Sequence, residues 1–107
     1  MRAIRVSSEF VPPWSGLGPG PFELSCAQTD LLDDLVIITR EAGNTSAFDS
    51  NQKFSIIRVK SSRDFVFAFK SFLAVKKLMT KERYDIIHCH GFNGFFILLF
   101  RSLLPYR

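Results

Sequence analysis

The chain has 107 residues, of which 47% are hydrophobic and 22% are charged, so it fits one domain and is not intrinsically disordered. Two cysteines exclude a disulfide-rich secreted scaffold and indicate reduced thiols in a cytoplasmic protein. The net charge of +4 divides into −4 over residues 1–52 and +8 over residues 53–107, which favours either a solvated basic face or an anionic partner, although no nucleic-acid-binding motif is present.

The first half predicts a strand, a loop, a helix and a second strand. Residues 3–8 are rich in β-formers, and residues 9–21 contain three glycines and four prolines, which predict a loop. Apolar residues at helical spacing predict a helix over residues 22–32. Residues 35–39 (Leu-Val-Ile-Ile-Thr) are apolar without alternation, which is typical of a strand buried on both faces of a parallel sheet.

The second half continues this alternation with a polar loop, a strand, a long helix, a strand and a final helix. These elements are predicted over residues 41–52, 54–59, 65–83, 84–90 and 95–104. Buried strands that alternate with helices predict a Rossmann-like α/β fold, a parallel sheet of about four strands with flanking helices. The fourth strand is expected to form an exposed apolar edge of this sheet, which favours association.

No segment is predicted to cross a membrane. The longest apolar run, residues 95–100, is far shorter than the roughly 20 residues that a span requires, and the N-terminus lacks the pattern of a signal peptide. The long helix has an apolar side and a lysine row, formed by Phe65, Phe69, Phe72, Val75 and Met79 and by Lys70, Lys77 and Lys81. The apolar side is expected to pack on the sheet; the alternative is peripheral contact with the inner face of a membrane.

Two segments carry chemistry suited to a ligand, because open α/β sheets bind ligands beyond the carboxyl ends of their strands. The glycines of the first loop and the N-terminus of the following helix suit a diphosphate, although their spacing fits neither a dinucleotide fingerprint nor a P-loop. The fourth strand ends with His88 and His90, which point the same way. His88 is predicted to be a hydrogen-bonded core histidine, and His90 to bind a sugar hydroxyl or a phosphate. No third residue completes a metal site.

In combination, these segments resemble the N-terminal domain of GT-B glycosyltransferases of the family 4 type. The matching stretches are residues 8–18, 22–24, 35–39 and 85–91, in the family's order and spacing. Ser15 replaces the first of a pair of glycines, and Pro19 and Pro21 replace helix formers. The resemblance implies that residues 1–107 form a partial N-terminal, acceptor-side domain of an incomplete GT-B enzyme, without the C-terminal nucleotide-sugar domain.

The resemblance also implies a function and a set of site residues. The implied reaction is the retaining transfer of a sugar from a nucleotide-sugar to a glycan or lipid-linked acceptor. No cofactor or metal is expected, since the nucleotide-sugar is a co-substrate, and the chain alone is expected to be inactive. The implied catalytic residue is His90, and the implied phosphate- and substrate-binding residues are Ser15, Gly16, Leu17 and Gly18. The acceptor-side candidates are Glu9, His88 and Gly91.

Two other functions stay open at the level of sequence. A non-catalytic α/β domain could bind a partner protein or an anionic membrane through its basic half. A dinucleotide- or flavin-binding domain is disfavoured, because the glycine fingerprint is missing and Thr39 and Arg40 stand where an acidic residue would close the second strand.

Overall fold

The computed structural model describes residues 1–11, 19–41, 43, 45–61, 63–90 and 95–99. The elements in chain order are β1 (Arg2–Val6), α1 (Pro19–Gln28), β2 (Asp34–Arg40), α2 (Ser46–Ser50), β3 (Ser55–Val59), α3 (Asp64–Lys81), β4 (Ile86–Cys89) and α4 (Phe95–Leu99). The strands form one four-stranded sheet in the order β3-β2-β1-β4, with every pair parallel. This confirms the Rossmann-like α/β fold. The part of the predicted last helix beyond Leu99 lies outside the described residues.

The strand β2 lies inside the sheet, between β1 and β3. Its residues from Leu35 to Thr39 are at most 4% exposed, and Ile37 and Ile38 are fully buried. A strand in this position has no solvent-facing side, since helices cover both faces of a parallel sheet. The prediction that residues 35–39 form a strand buried on both faces of a parallel sheet is therefore confirmed.

The segment between β2 and β3, predicted as a loop, contains the short helix α2, and the prediction is wrong there. Two parallel strands need a crossover connection, and α2 lies within it. The helix is held by tertiary contacts: the ring of Phe48 lies 5.7 Å from that of Phe22 on α1, and Asp49 forms an ion pair with Arg58 on β3.

The helix α1 begins three residues before its predicted start and ends at Gln28 instead of Leu32. Proline is tolerated in the first helical turn, where its missing N–H would have no intrahelical partner, so Pro19 and Pro21 are accommodated. After Gln28 the chain turns, and the Leu31 amide donates to the Gln28 carbonyl at 2.9 Å. Leu31 itself is 81% exposed and takes no part in the core.

Alternating residues of the inner strands build two cores, one on each face of the sheet. On one face, Ile4, Val6, Val36 and Ile38 pack against α3 and α4. On the other, Ala3, Leu35 and Ile37 pack with Phe10, Val11 and Phe54, next to Phe22 of α1. The result is a sheet between two helical layers. The buried side chains of Arg5 and Thr39 lie on the same face as Ala3, Leu35 and Ile37.

The apolar side of α3 is only partly the one that the sequence predicts. Phe72, Val75 and Met79 are buried against the sheet, whereas Phe65 and Phe69 are 57% and 44% exposed. The rings of Phe65 and Phe69 instead contact Phe96 of α4 edge to face, at 5.0 and 5.4 Å. The sheet-facing stripe is completed by two residues outside the predicted set, Phe67 and Ala68, which are fully buried.

The strand β4 lies at an edge of the described sheet, where it pairs with β1. Its residues alternate between exposed and half-buried, and Ile86 is 39% exposed. Because an edge strand has one row of backbone groups outside the ladder, it is open to further pairing. The exposed edge predicted for the fourth strand is therefore present.

Candidate functional site

The candidate site lies where the strand order changes direction, between β1 and β4. From β1 the chain adds β2 and β3 on one side and then returns to add β4 on the other. Such a switch point leaves a crevice outside the carboxyl ends of the two strands, and open α/β sheets bind ligands there. Two hydrogen bonds hold these ends level: the Ser7 amide donates to Ile38, and the His90 amide donates to Val6, each at 3.0 Å.

His90 directly follows β4 and is half-buried at this end of the sheet. Its ring stacks on that of His88, with 4.6 Å between the centroids and 25° between the planes. The two rings lie on the same side of the chain, as the alternation of side chains along a strand predicts. The structure therefore brings these two predicted site residues together.

His88 is hydrogen-bonded, but it is not a core residue. It is exposed because β4 is the edge strand, so the predicted core position is wrong. Its Nδ1 lies 3.3 Å from Nη2 of Arg5, with which it is in register on β1. The side chain thus faces the α1 layer beside a buried guanidinium.

The other predicted site residues divide into two groups. Glu9 is exposed and follows β1, which places it at the same edge of the sheet, and its carbonyl accepts a hydrogen bond from Ser7 Oγ at 2.8 Å. The remaining candidates lie outside the described residues: Ser15, Gly16, Leu17, Gly18 and Gly91.

The electrostatics of the site favour uncharged side chains. Burial, followed by the charge of Arg5, lowers the pKa of His88. Burial, His88 and Arg5 lower the pKa of His90 in that order. Between them, Cys89 points into the opposite core, and burial raises the pKa of its thiol to about 11. A thiol that stays protonated at neutral pH is a poor nucleophile, so the two imidazoles are the better candidates for chemistry at this strand end.

Arg5 is the site residue that the sequence interpretation missed. It is 2% exposed and contacts His88 from the neighbouring strand. The signal was a charged residue inside a short apolar strand, between Ile4 and Val6, because a charge in that position requires partners from elsewhere in the chain. No group of three potential ligands is placed to hold a metal ion in the part of the chain that the structure describes.

A cavity of about 290 Å³ opens at the opposite end of the sheet. It lies between the amino ends of β2 and β3 and the end of α3, and is lined by Asp34, Val36, Ser55, Ile57, Leu78, Lys81, Glu82 and Tyr84. Since ligands of open α/β sheets bind at the carboxyl ends of the strands, we place the candidate site at the histidines and not in this cavity.

The sequence of the chain matches one protein family. The sequence profile described as glycosyl transferase 4-like matches residues 29–104, which is more than half of the chain. The chain belongs to the glycosyl transferase 4-like family. Searches of curated proteins and of solved structures returned no match. Within this glycosyl transferase 4-like chain, the matched range contains the two candidate histidines and excludes β1 with the glycine-rich loop.

The helices of this family member were also compared with the requirements of a membrane span. Among the described residues, no helix combines the length and the apolarity that crossing a bilayer demands. Even α3, with 18 residues, carries several lysines on its outer side.

Proposed function

We propose that this chain is the N-terminal, acceptor-side part of a GT-B glycosyltransferase. In the proposed reaction, a sugar moves from a nucleotide-sugar to a glycan or lipid-linked acceptor with retention of configuration. The observation that carries the proposal is the position of the histidines. His88 and His90 belong to the family-matched range and stand at the switch point of the strand order, beside the end of β1.

The proposal divides the work between two domains. The acceptor-side domain offers one wall of a cleft, with His90 near the transferred sugar or the acceptor hydroxyl and with Glu9 and His88 on the acceptor side. A second domain, outside residues 1–107, would bind the nucleotide-sugar, which acts as a co-substrate and not as a resident cofactor. On this proposal the chain alone is inactive, because the donor and the acceptor meet only when both walls are present.

The chemistry proposed for this wall is electrostatic. Negative charge builds on the leaving diphosphate, and backbone N–H groups stabilise such a charge without reorganising. The candidates for these N–H groups are Ser15, Gly16, Leu17 and Gly18. The half-buried His90 is suited to a different task, since an uncharged imidazole can donate one hydrogen bond to a sugar hydroxyl and accept another.

Ligand titrations of the 107-residue chain, followed by NMR of its backbone amides, test this division. We expect glycan acceptors at millimolar concentration to shift the amides of Glu9, Cys89 and His90. Uridine and guanosine diphosphate are expected to bind this chain weakly or not at all, because most of their binding surface is on the other domain. His90→Ala should weaken the glycan response, whereas Lys53→Ala, at an exposed position outside the site, should not. Tight nucleotide binding, or no glycan response at any site amide, would contradict the proposal.

A second proposal, favoured by a separate observation, is that the domain rests on the cytoplasmic face of an anionic membrane. The outer side of α3 exposes a stripe at i, i+4 and i+8, formed by Phe65, Phe69 and Leu73, which are 57%, 44% and 47% exposed. The row of Lys70, Lys77 and Lys81 lies beside this stripe, since all three are exposed and share one helical side. Exposed aromatic residues next to lysines fit an interfacial helix.

Co-sedimentation with lipid vesicles tests this membrane contact. We expect the chain to bind vesicles that contain phosphatidylglycerol, to bind less at high salt, and not to bind pure phosphatidylcholine. Phe69→Ser and Lys77→Glu should each reduce binding. Lys53→Glu is the matched control, because Lys53 interacts electrostatically with Cys26 of α1, in the opposite helical layer. Absence of binding at low salt, or equal effects of Lys77→Glu and Lys53→Glu, would contradict the proposal.

A further inference from the structure

Arg5 places a positive charge inside the sheet. The residue is 2% exposed, and its register lies between Ile37 of β2 and His88 of β4. Its side chain extends towards α1, where Nη1 donates to the buried Ser25 Oγ at 2.7 Å. Burying a guanidinium costs several kcal/mol unless its N–H groups find partners, so the identity of those partners is informative.

The partners of Arg5 are neutral. Besides Ser25, Nη2 donates to Gln28 Oε1 and lies 3.3 Å from Nδ1 of His88. Within the described ranges, Arg5 forms no ion pair with a carboxylate. The guanidinium therefore needs acceptors to satisfy it, and His88 Nδ1 is the acceptor that belongs to the candidate site.

This contact fixes the position of a proton on His88. Arginine has five N–H donors and no acceptor, so the nitrogen that faces it must present a lone pair. In a neutral histidine the proton then resides on the other nitrogen. We propose that Arg5 is a positioning residue that holds His88 as a neutral imidazole with its proton on Nε2.

The stacking of the two rings extends the effect of Arg5 on charge from His88 to His90. With His88 held neutral and its ring 4.6 Å from that of His90, the two rings form an uncharged pair. On β1 the pair is faced by Arg5, whose other partners on α1, Ser25 and Gln28, do not titrate. Among these groups Arg5 carries the charge, and it opposes protonation of both rings.

An uncharged pair has a different ligand preference from a charged one. Neutral imidazoles exchange hydrogen bonds with hydroxyl groups, whereas imidazolium would favour a phosphate. The use of the pair towards sugar hydroxyls rests on the proposed function. The position of the proton on His88 does not, and it can be measured without any substrate.

NMR of the ¹⁵N-labelled chain tests the inference directly. Long-range ¹H–¹⁵N correlation spectra at pH 7.5 distinguish a protonated ring nitrogen from an unprotonated one. We expect His88 Nδ1 to be unprotonated and Nε2 to carry the proton, and we expect the ring to stay neutral on acidification past the pH at which a free histidine protonates. A proton on Nδ1, or a charged ring at pH 7.5, would overturn the proposal.

Substitutions separate positioning from simple packing. Arg5→Met removes the donor and the charge while Ser25 keeps its bond to the Pro21 carbonyl at 2.7 Å, so the fold is expected to persist. In this variant both tautomers of His88 should become populated, and its titration midpoint should rise. Arg5→Lys should restore the native tautomer, since lysine is also only a donor. Arg2→Met, on the same strand, should leave His88 unchanged; if Arg5→Met also leaves it unchanged, Arg5 does not position the ring.

Discussion

Replacing Asp49 with alanine is expected to lower the free energy of unfolding by about 3 kcal/mol. Asp49 forms a two-bond ion pair with Arg58: Nε donates to Oδ2 and Nη2 donates to Oδ1, both at 2.9 Å. The Arg58 side chain is 7% exposed and that of Asp49 is 21% exposed. Removing the carboxylate leaves a nearly buried guanidinium with carbonyl partners alone, and breaking a buried pair costs far more than breaking an exposed one.

The position of this ion pair explains why its loss should affect more than α2. Arg58 also donates to the carbonyl of Arg40 at 3.3 Å and to that of Val11 at 2.9 Å. One side chain therefore joins β3, α2, the end of β2 and the start of the loop after β1. Urea denaturation followed by circular dichroism measures the change in stability.

An exposed ion pair in the same protein supplies the control. Asp64 accepts from Arg40 at 2.6 Å, but its side chain is 71% exposed. Asp64→Ala should cost at most about 1 kcal/mol, as is usual for a surface pair at a helix N-terminus. Equal losses for the two alanine variants would show that the Asp49–Arg58 pair contributes no more than a surface contact.

Phe67→Ala is expected to cost about 4 kcal/mol, within the range for removing a buried phenylalanine ring. Phe67 is fully buried in the core between α3 and the sheet, and the guanidinium of Arg40 lies 5.7 Å from its ring centre. Alanine would leave a cavity that the surrounding strands cannot close, since packed interiors relax only in part.

Phe69→Ala provides the matched comparison on the same helix. Phe69 is 44% exposed and contacts Phe96 at 5.4 Å, so its removal should cost about 1 kcal/mol. Chemical denaturation of both variants at one temperature gives the difference. A smaller loss for Phe67 than for Phe69 would mean that the inward face of α3 has been assigned incorrectly.

Local patterns in the sequence predict the strands because burial dictates their composition. Residues 35–38 are apolar at every position, which is typical of a strand covered on both faces, and β2 occupies that position. The short helix α2 is missed because its sequence is polar, and its contacts come from Phe22 and Arg58, which lie outside it. Its existence depends on tertiary structure and not on propensity.

The same distinction applies to the candidate site. The side on which His88 and His90 point follows from the alternation of a strand and is predictable. The charge of Arg5 inside an apolar strand is a local signal, but its partners Ser25 and His88 are not predictable from local pattern, because they lie 20 and 83 residues away. The buried face of α3 differs from the predicted one for a related reason. Phe65 and Phe69 pack on Phe96 of another helix instead of on the sheet.

The edge position of β4 links self-association to access to the site. This strand has one side outside the described ladder, and it also carries His88. Any strand that extends the sheet there, from another molecule or from elsewhere in the same polypeptide, would lie directly beside that imidazole and cover Ile86. The backbone of the added strand would then lie one strand spacing, about 4.8 Å, from the backbone of β4 at His88. Pairing with another molecule at this edge would therefore make ligand occupancy depend on protein concentration.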